Sequence, residues 1–197
     1  MTDDTDAPVY RQRPKPFGFE VTYRLDPAHL FVDTGRKQER IPYARIVACR
    51  LSYRPANVTS QGYRADLRIE DGRALRLGNL SWKTYFEADR QDDAYRAFIT
   101  ELLARVAAAN PKLACVAGRP FWIWALGALA GAAMVAALAV AFAVALANAA
   151  WPLAGLTALF LVPLAGQAWA MARRNRPTPF APPSIPPLVL PKPGRSG

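Results

Sequence analysis

Residues 121–147 read FWIWALGALAGAAMVAALAVAFAVALA, and residues 153–172 read LAGLTALFLVPLAGQAWAMA. From Pro120 to Ala172 there is no Asp, Glu, Lys, Arg or His, and 43 of these 53 residues are hydrophobic. At about 1.5 Å of rise per residue the two runs make helices of about 40 Å and 30 Å, against a hydrocarbon core of roughly 30 Å. Between them Asn148-Ala-Ala-Trp-Pro152 is a turn signal. The pattern predicts one transmembrane helix over 121–147, an extracytoplasmic turn over 148–152 and a second transmembrane helix over 153–172. A buried helical pair of a soluble protein is the alternative, but neither run leaves a polar face for water. Trp122, Trp124, Trp151 and Trp169 stand where an aromatic belt stands.

The flanks set the orientation. Arg105, Lys112 and Arg119 precede the first span, Arg173, Arg174 and Arg176 follow the second, and the turn carries no charge. The positive-inside rule then puts both termini in the cytoplasm. The acidic opening Met1-Thr-Asp-Asp-Thr-Asp6 is not a signal peptide's basic start. Lys112, Arg119, Arg173, Arg174 and Arg176 are the candidate contacts to anionic head groups, a non-specific attraction worth about 1 kcal/mol per charge at the surface. Setting the topology alone is the plainer reading of the same residues. Gly127-Ala-Leu-Ala-Gly131 is a GxxxG whose small residues let helix backbones approach. Gly127 and Gly131 are thus candidate packing residues, within the hairpin or between copies in a homo-oligomer.

Outside the apolar runs the composition is that of a small polar domain with arms. Residues 17–25 alternate strictly, with Phe17, Phe19, Val21, Tyr23 and Leu25 on one face. Asp26-Pro27 breaks that strand, and further strands are expected over 29–33, 37–43 and 44–54. In the last of these Val47, Cys49, Leu51 and Tyr53 share a face, opposite Ile46 and Ala48. Residues 63–70 and 74–80 form a hairpin about Asp71-Gly72, and 81–86 add a strand. Then the period changes: Tyr95, Phe98, Ile99, Leu102, Leu103 and Val106 mark one face of an amphipathic helix that Asn110-Pro111 stops.

The meander, the run Ile41-Pro-Tyr-Ala-Arg-Ile-Val-Ala-Cys-Arg-Leu51, the hairpin 67–77 and the closing helix together resemble the pleckstrin-homology-like domains of bacterial membrane proteins. The resemblance covers residues 17–110. It implies an α+β fold: a split β-barrel of six or seven antiparallel strands capped by a C-terminal helix, ahead of an all-α transmembrane hairpin. Eukaryotic lipid-binding members grip inositol phosphates with a basic cluster between the first two strands. Here that loop is Leu25-Asp-Pro-Ala-His29, which lacks the cluster.

The remaining organisation is an N-terminal arm (1–16) expected to be disordered, a juxtamembrane linker (111–120) and a basic, Pro-rich tail (173–197). Eight of the 18 prolines fall between Pro177 and Pro193, predicting an extended or disordered segment with two PxxP docking patterns. Up to Arg119 the chain holds 20 basic residues and all 15 acidic ones; the tail holds five basic residues, for a net charge of +10. Arginines alternating along strands mark a solvated sheet face, so nucleic acid is not expected as a partner, whereas an unidentified protein partner is.

Cys49 and Cys115 lack metal or disulfide spacing, and His29 has no nucleophile patterned near it. No catalytic, metal or cofactor-binding residue is therefore expected. The expectation is a multi-pass protein of the bacterial inner membrane acting as a binding or scaffolding module. The alternative is a small subunit of a transport or envelope-assembly complex in which the hairpin does the work.

Overall fold

The computed structural model describes residues 7–16, 18–54, 62–84 and 87–192. The chain divides into two compact units, one running to Gly118 and resuming at Thr178, the other spanning Arg119–Pro177. In chain order the first unit begins with β1 (Val9–Gln12), β2 (Val21–Leu25), β3 (His29–Asp33), β4 (Gln38–Pro42), β5 (Ile46–Tyr53), β6 (Tyr63–Ile69) and β7 (Ala74–Gly78). It continues with β8 (Leu80–Trp82), β9 (Ala88–Arg90), α1 (Asp92–Ala109) and β10 (Ala114–Ala117). The second unit is α2 (Phe121–Ala147) and α3 (Trp151–Arg174), after which the chain returns to the first unit as β11 (Thr178–Phe180).

Strands β1 to β4 form an antiparallel meander, and β8 pairs with β9. The largest sheet has the order β11-β10-β5-β6-β7, in which β10 runs parallel to β5 and every other pair is antiparallel. The fold is thus α+β, as expected; its sheets are antiparallel and mixed, and no barrel closes among the described residues. The reason lies at β7, whose outer edge meets side chains instead of another strand. The Tyr10 hydroxyl donates to the Gly78 carbonyl at 2.5 Å, the Gly78 N–H donates to Gln12 Oε1 at 2.7 Å, and the Tyr23 hydroxyl donates to the Arg76 carbonyl at 3.3 Å. Side chains of β1 and β2 thereby satisfy an edge that would otherwise be open to further pairing.

The core follows the expected periods. In β2 Val21, Tyr23 and Leu25 are buried, while Phe19 lies exposed before the strand and Phe17 falls outside the described residues. In α1 the buried residues are Tyr95, Phe98, Ile99, Leu102, Leu103 and Val106, the face read from the sequence. Tyr10 packs on the rings of Tyr95 and Phe98 at centroid distances of 6.1 and 5.5 Å, tying β1 to α1. Strand β5 departs from strict alternation. Its register against β6 shifts between Ile46 and Ala48, a bulge that turns Ile46 inward beside Cys49 and Leu51 and leaves Val47 half-buried.

The stretches read as arm, linker and tail each contribute a strand to the sheets. Within the N-terminal arm β1 pairs with β2 and buries Tyr10 and Gln12. Within the linker and tail β10 and β11 pair antiparallel, Ala117 opposite Thr178. Beyond β11 the chain lies on the first unit, with Val189 and Leu190 buried and the Pro191 carbonyl accepting from Arg96 Nη1 at 2.8 Å.

In the second unit α2 starts and ends where the sequence predicts, and α3 begins two residues early, with Pro152 in its first turn. Both helices are long and apolar enough to cross a membrane. Ala145 in α2, and Ala154 and Thr157 in α3, are the buried residues; Leu126, Leu129, Met134, Val140, Phe160 and Val162 are exposed. A soluble core pair would bury such side chains, so this surface calls for a covering other than water.

Candidate functional site

The start of α2 and the end of α3 are joined by two hydrogen bonds. The Trp124 indole N–H donates to the Ala172 carbonyl at 2.8 Å, satisfying one of the carbonyls that the end of α3 leaves without an intrahelical partner. The Arg119 backbone N–H donates to the Asn175 carbonyl at 3.0 Å. These bonds tie the start of α2 to the end of α3. Between them lies a cleft of about 250 Å³, lined on its apolar side by Ile123, Gly127, Ala168 and Met171 and on its polar side by Arg119 and Asn175.

The two glycines of the GxxxG do different work. A Cβ on Gly131 would come 3.3 Å from the Ala168 Cβ, so Gly131 is a point of close approach between α2 and α3. A Cβ on Gly127 would meet nothing within 4 Å, because Gly127 faces the cleft.

The polar end carries unused hydrogen-bonding capacity. Asn175 is 3% exposed, yet its Oδ1 has no partner among the described residues, and neither has the buried Nε of Arg119. The Asn175 Nδ2 reaches only the Met171 sulfur, at 4.0 Å. An unpaired buried polar group costs about 1–3 kcal/mol, so such a pair is either an expense of folding or a place for a ligand. No acidic residue occurs anywhere in Arg119–Pro177, which leaves the Arg119 charge without a carboxylate in its own unit. Arg173 and Arg174 occupy the last turn of α3, where cations complement the helix dipole.

Elsewhere the expected site residues are dispersed. Lys112 is exposed in the turn between α1 and β10 of the first unit. The β2–β3 loop, which would carry a phosphoinositide-binding cluster, is an acid-centred network instead: Asp26 accepts from Arg24 Nε at 2.7 Å and lies 3.1 Å from His29 Nε2. Bonding to Arg24 holds the Asp26 carboxyl below its ordinary range despite its burial. A hollow of about 360 Å³ lined by Lys15, Arg64, Arg76 and Trp82 is basic, but Arg64 bonds Asp66 at 2.7 Å and Arg76 lies 3.7 Å from the same carboxylate.

Sequence spacing missed two features. Cys49 and Cys115, 66 positions apart, are direct partners across the parallel β5–β10 pair, and both are buried free thiols. Contact with Cys115, together with burial, pushes the Cys49 thiol well up. Asn175 was hidden among the arginines at the end of α3, where it is the C-cap residue. No cluster of metal-ligating side chains occurs among the described residues.

Comparison with known protein families, with curated proteins and with solved structures finds no match to this chain.

Proposed function

We propose that this chain is a membrane-anchored, non-catalytic binding or scaffolding module. In this reading an α+β domain of pleckstrin-homology-like character is held at the cytoplasmic face of a bacterial inner membrane by a two-helix hairpin, with both termini cytoplasmic. Its partners are anionic head groups, contacted non-specifically by the flanking arginines, and a protein yet to be identified.

The observation that carries the reading is the antiparallel pairing of β10 with β11. One strand leads into α2, the other follows α3, and they are hydrogen-bonded neighbours in one sheet. A chain that leaves and re-enters the same sheet must cross a bilayer an even number of times. The charge pattern agrees, because basic residues flank both ends of the hairpin and none lies in its turn.

Crosslinking the intact protein in its native membranes, followed by alkaline extraction and identification of captured proteins, tests the proposal. The expected result is a chain that resists extraction and carries a discrete partner crosslinked through residues of the first unit. Crosslinks confined to the lipid-facing surface of α2 and α3 would favour the reading in which the hairpin is the working part of a larger complex.

A further inference from the structure

We infer that the cleft at the base of α2 and α3 is a binding site for one anionic glycerophospholipid whose head bears a free hydroxyl, such as phosphatidylglycerol. The inference rests on reading α2 and α3 as membrane-spanning and goes beyond non-specific attraction to the surface, because it assigns a seat for one molecule.

Three observations fit that ligand. First, the unused groups form a complementary set: Arg119 presents a guanidinium with no carboxylate in its unit, and the 3%-exposed Asn175 presents an orphan amide oxygen. A guanidinium fork suits a phosphate diester, and an amide oxygen needs a donor, which a headgroup hydroxyl supplies. An ammonium head would find no acid here, since Arg119–Pro177 contains none.

Second, the rest of the lining includes the apolar Ile123, Gly127, Ala168 and Met171. One cleft therefore offers a polar end and a greasy end, as an amphiphile at the membrane interface requires. Third, the size is appropriate. At about 250 Å³ the cleft falls just below the roughly 300–1,000 Å³ of pockets that enclose a drug-sized molecule. It accommodates a headgroup and the first methylenes of a chain, the rest lying along the exposed helix surface. Gly127 lines this space, and a Cβ there meets nothing within 4 Å, so a larger side chain has room to occupy it.

The test uses full-length protein reconstituted into vesicles of mixed phosphatidylcholine and phosphatidylglycerol, then released in mild detergent for native mass spectrometry. The expected result is one phosphatidylglycerol retained per chain in preference to phosphatidylcholine or phosphatidylethanolamine. Arg119→Gln should lower that preference by about tenfold or more, with Arg119→Lys intermediate, because loss of a charged bidentate contact is worth at least that much. Gly127→Leu should abolish retention by filling the cleft. Gly127→Ala, which meets no neighbour, serves as the milder variant should the leucine disturb the helix pair. Equal retention of all lipids, or retention indifferent to Arg119→Gln and Gly127→Ala, would overturn the site while leaving the membrane reading intact. Displacement of the retained species by inorganic phosphate alone would overturn the assignment to lipid. A chain washed from the vesicles by alkaline carbonate would overturn the membrane reading and the site with it.

Discussion

Asn79 shows how one polar side chain holds the first unit together. It is completely buried; its Oδ1 accepts from the Tyr63 N–H at 2.7 Å, and its Nδ2 donates to Asp92 Oδ1 at 2.6 Å. One amide thus joins the start of β6 to the first turn of α1. Asn79→Ala strands the Tyr63 N–H in the interior, and the expected loss is about 2–3 kcal/mol in urea unfolding of the detergent-solubilised protein. Asp26 gives a second prediction, in pH. Its folded-state carboxyl titrates below the ordinary value because Arg24 binds the charged form. The stabilisation is therefore fully present above the unfolded-state value near 4 and is lost as pH falls through the lower folded-state value. Thermal melts between neutrality and pH 3 should show that acid limb in the native protein and a flatter one in Asp26→Asn.

Among the elements, the segment that follows β11 carries the clearest energetic prediction. Leu190 is 3% exposed and Val189 2% exposed, at the end of a Pro-rich stretch that forms one short 3-10 turn, Pro187–Val189. Leu190→Ala should destabilise by about 2–4 kcal/mol and make the bond after Phe180 susceptible to chymotrypsin under conditions where the native segment is protected. In the hairpin, Gly131→Ile should separate α2 from α3 at the Ala168 contact, with an overpacking cost of about 1–3 kcal/mol. A lowered melting temperature in detergent reads this out, with Gly127→Ala as the tolerated control. The hairpin and α1 were legible because their patterns are long and consistent: 27 apolar residues, and six core positions at helical spacing. Strands β1 and β11 were not, for identifiable reasons. In Val9-Tyr-Arg-Gln12 Val9 is exposed and Gln12 is buried, so two of the four positions break the binary pattern. In β11 three residues with a central proline give no strand signal, and proline is tolerated there because the strand lies at a sheet edge. The cleft was illegible for a different reason, since its polar pair comes from opposite ends of the hairpin.

For the whole molecule, the first unit is built from chain on both sides of the hairpin. A fragment covering residues 17–110 lacks β1, β10 and β11, and should fail to give a cooperative unfolding transition. Because Ala117 stands directly opposite Thr178, replacing residues 118–177 with a short glycine-containing turn should instead yield a soluble, folded domain. Circular dichroism melts of the two products check this, and an equally unfolded second product would argue against the β10–β11 pairing.

That same pairing imposes a timetable on biogenesis. When the ribosome has made β10, the strand that will lie on its outer edge is still about 60 residues away, which at about 5–20 residues per second is a delay of roughly 3–12 s. In that interval the two apolar helices are made while the large sheet still presents an unfilled edge, and in the proposed reading this is when they meet the bilayer. The sheet can be completed only after both helices have been made, so its last strand is added with the helix pair already outside the ribosome's active centre.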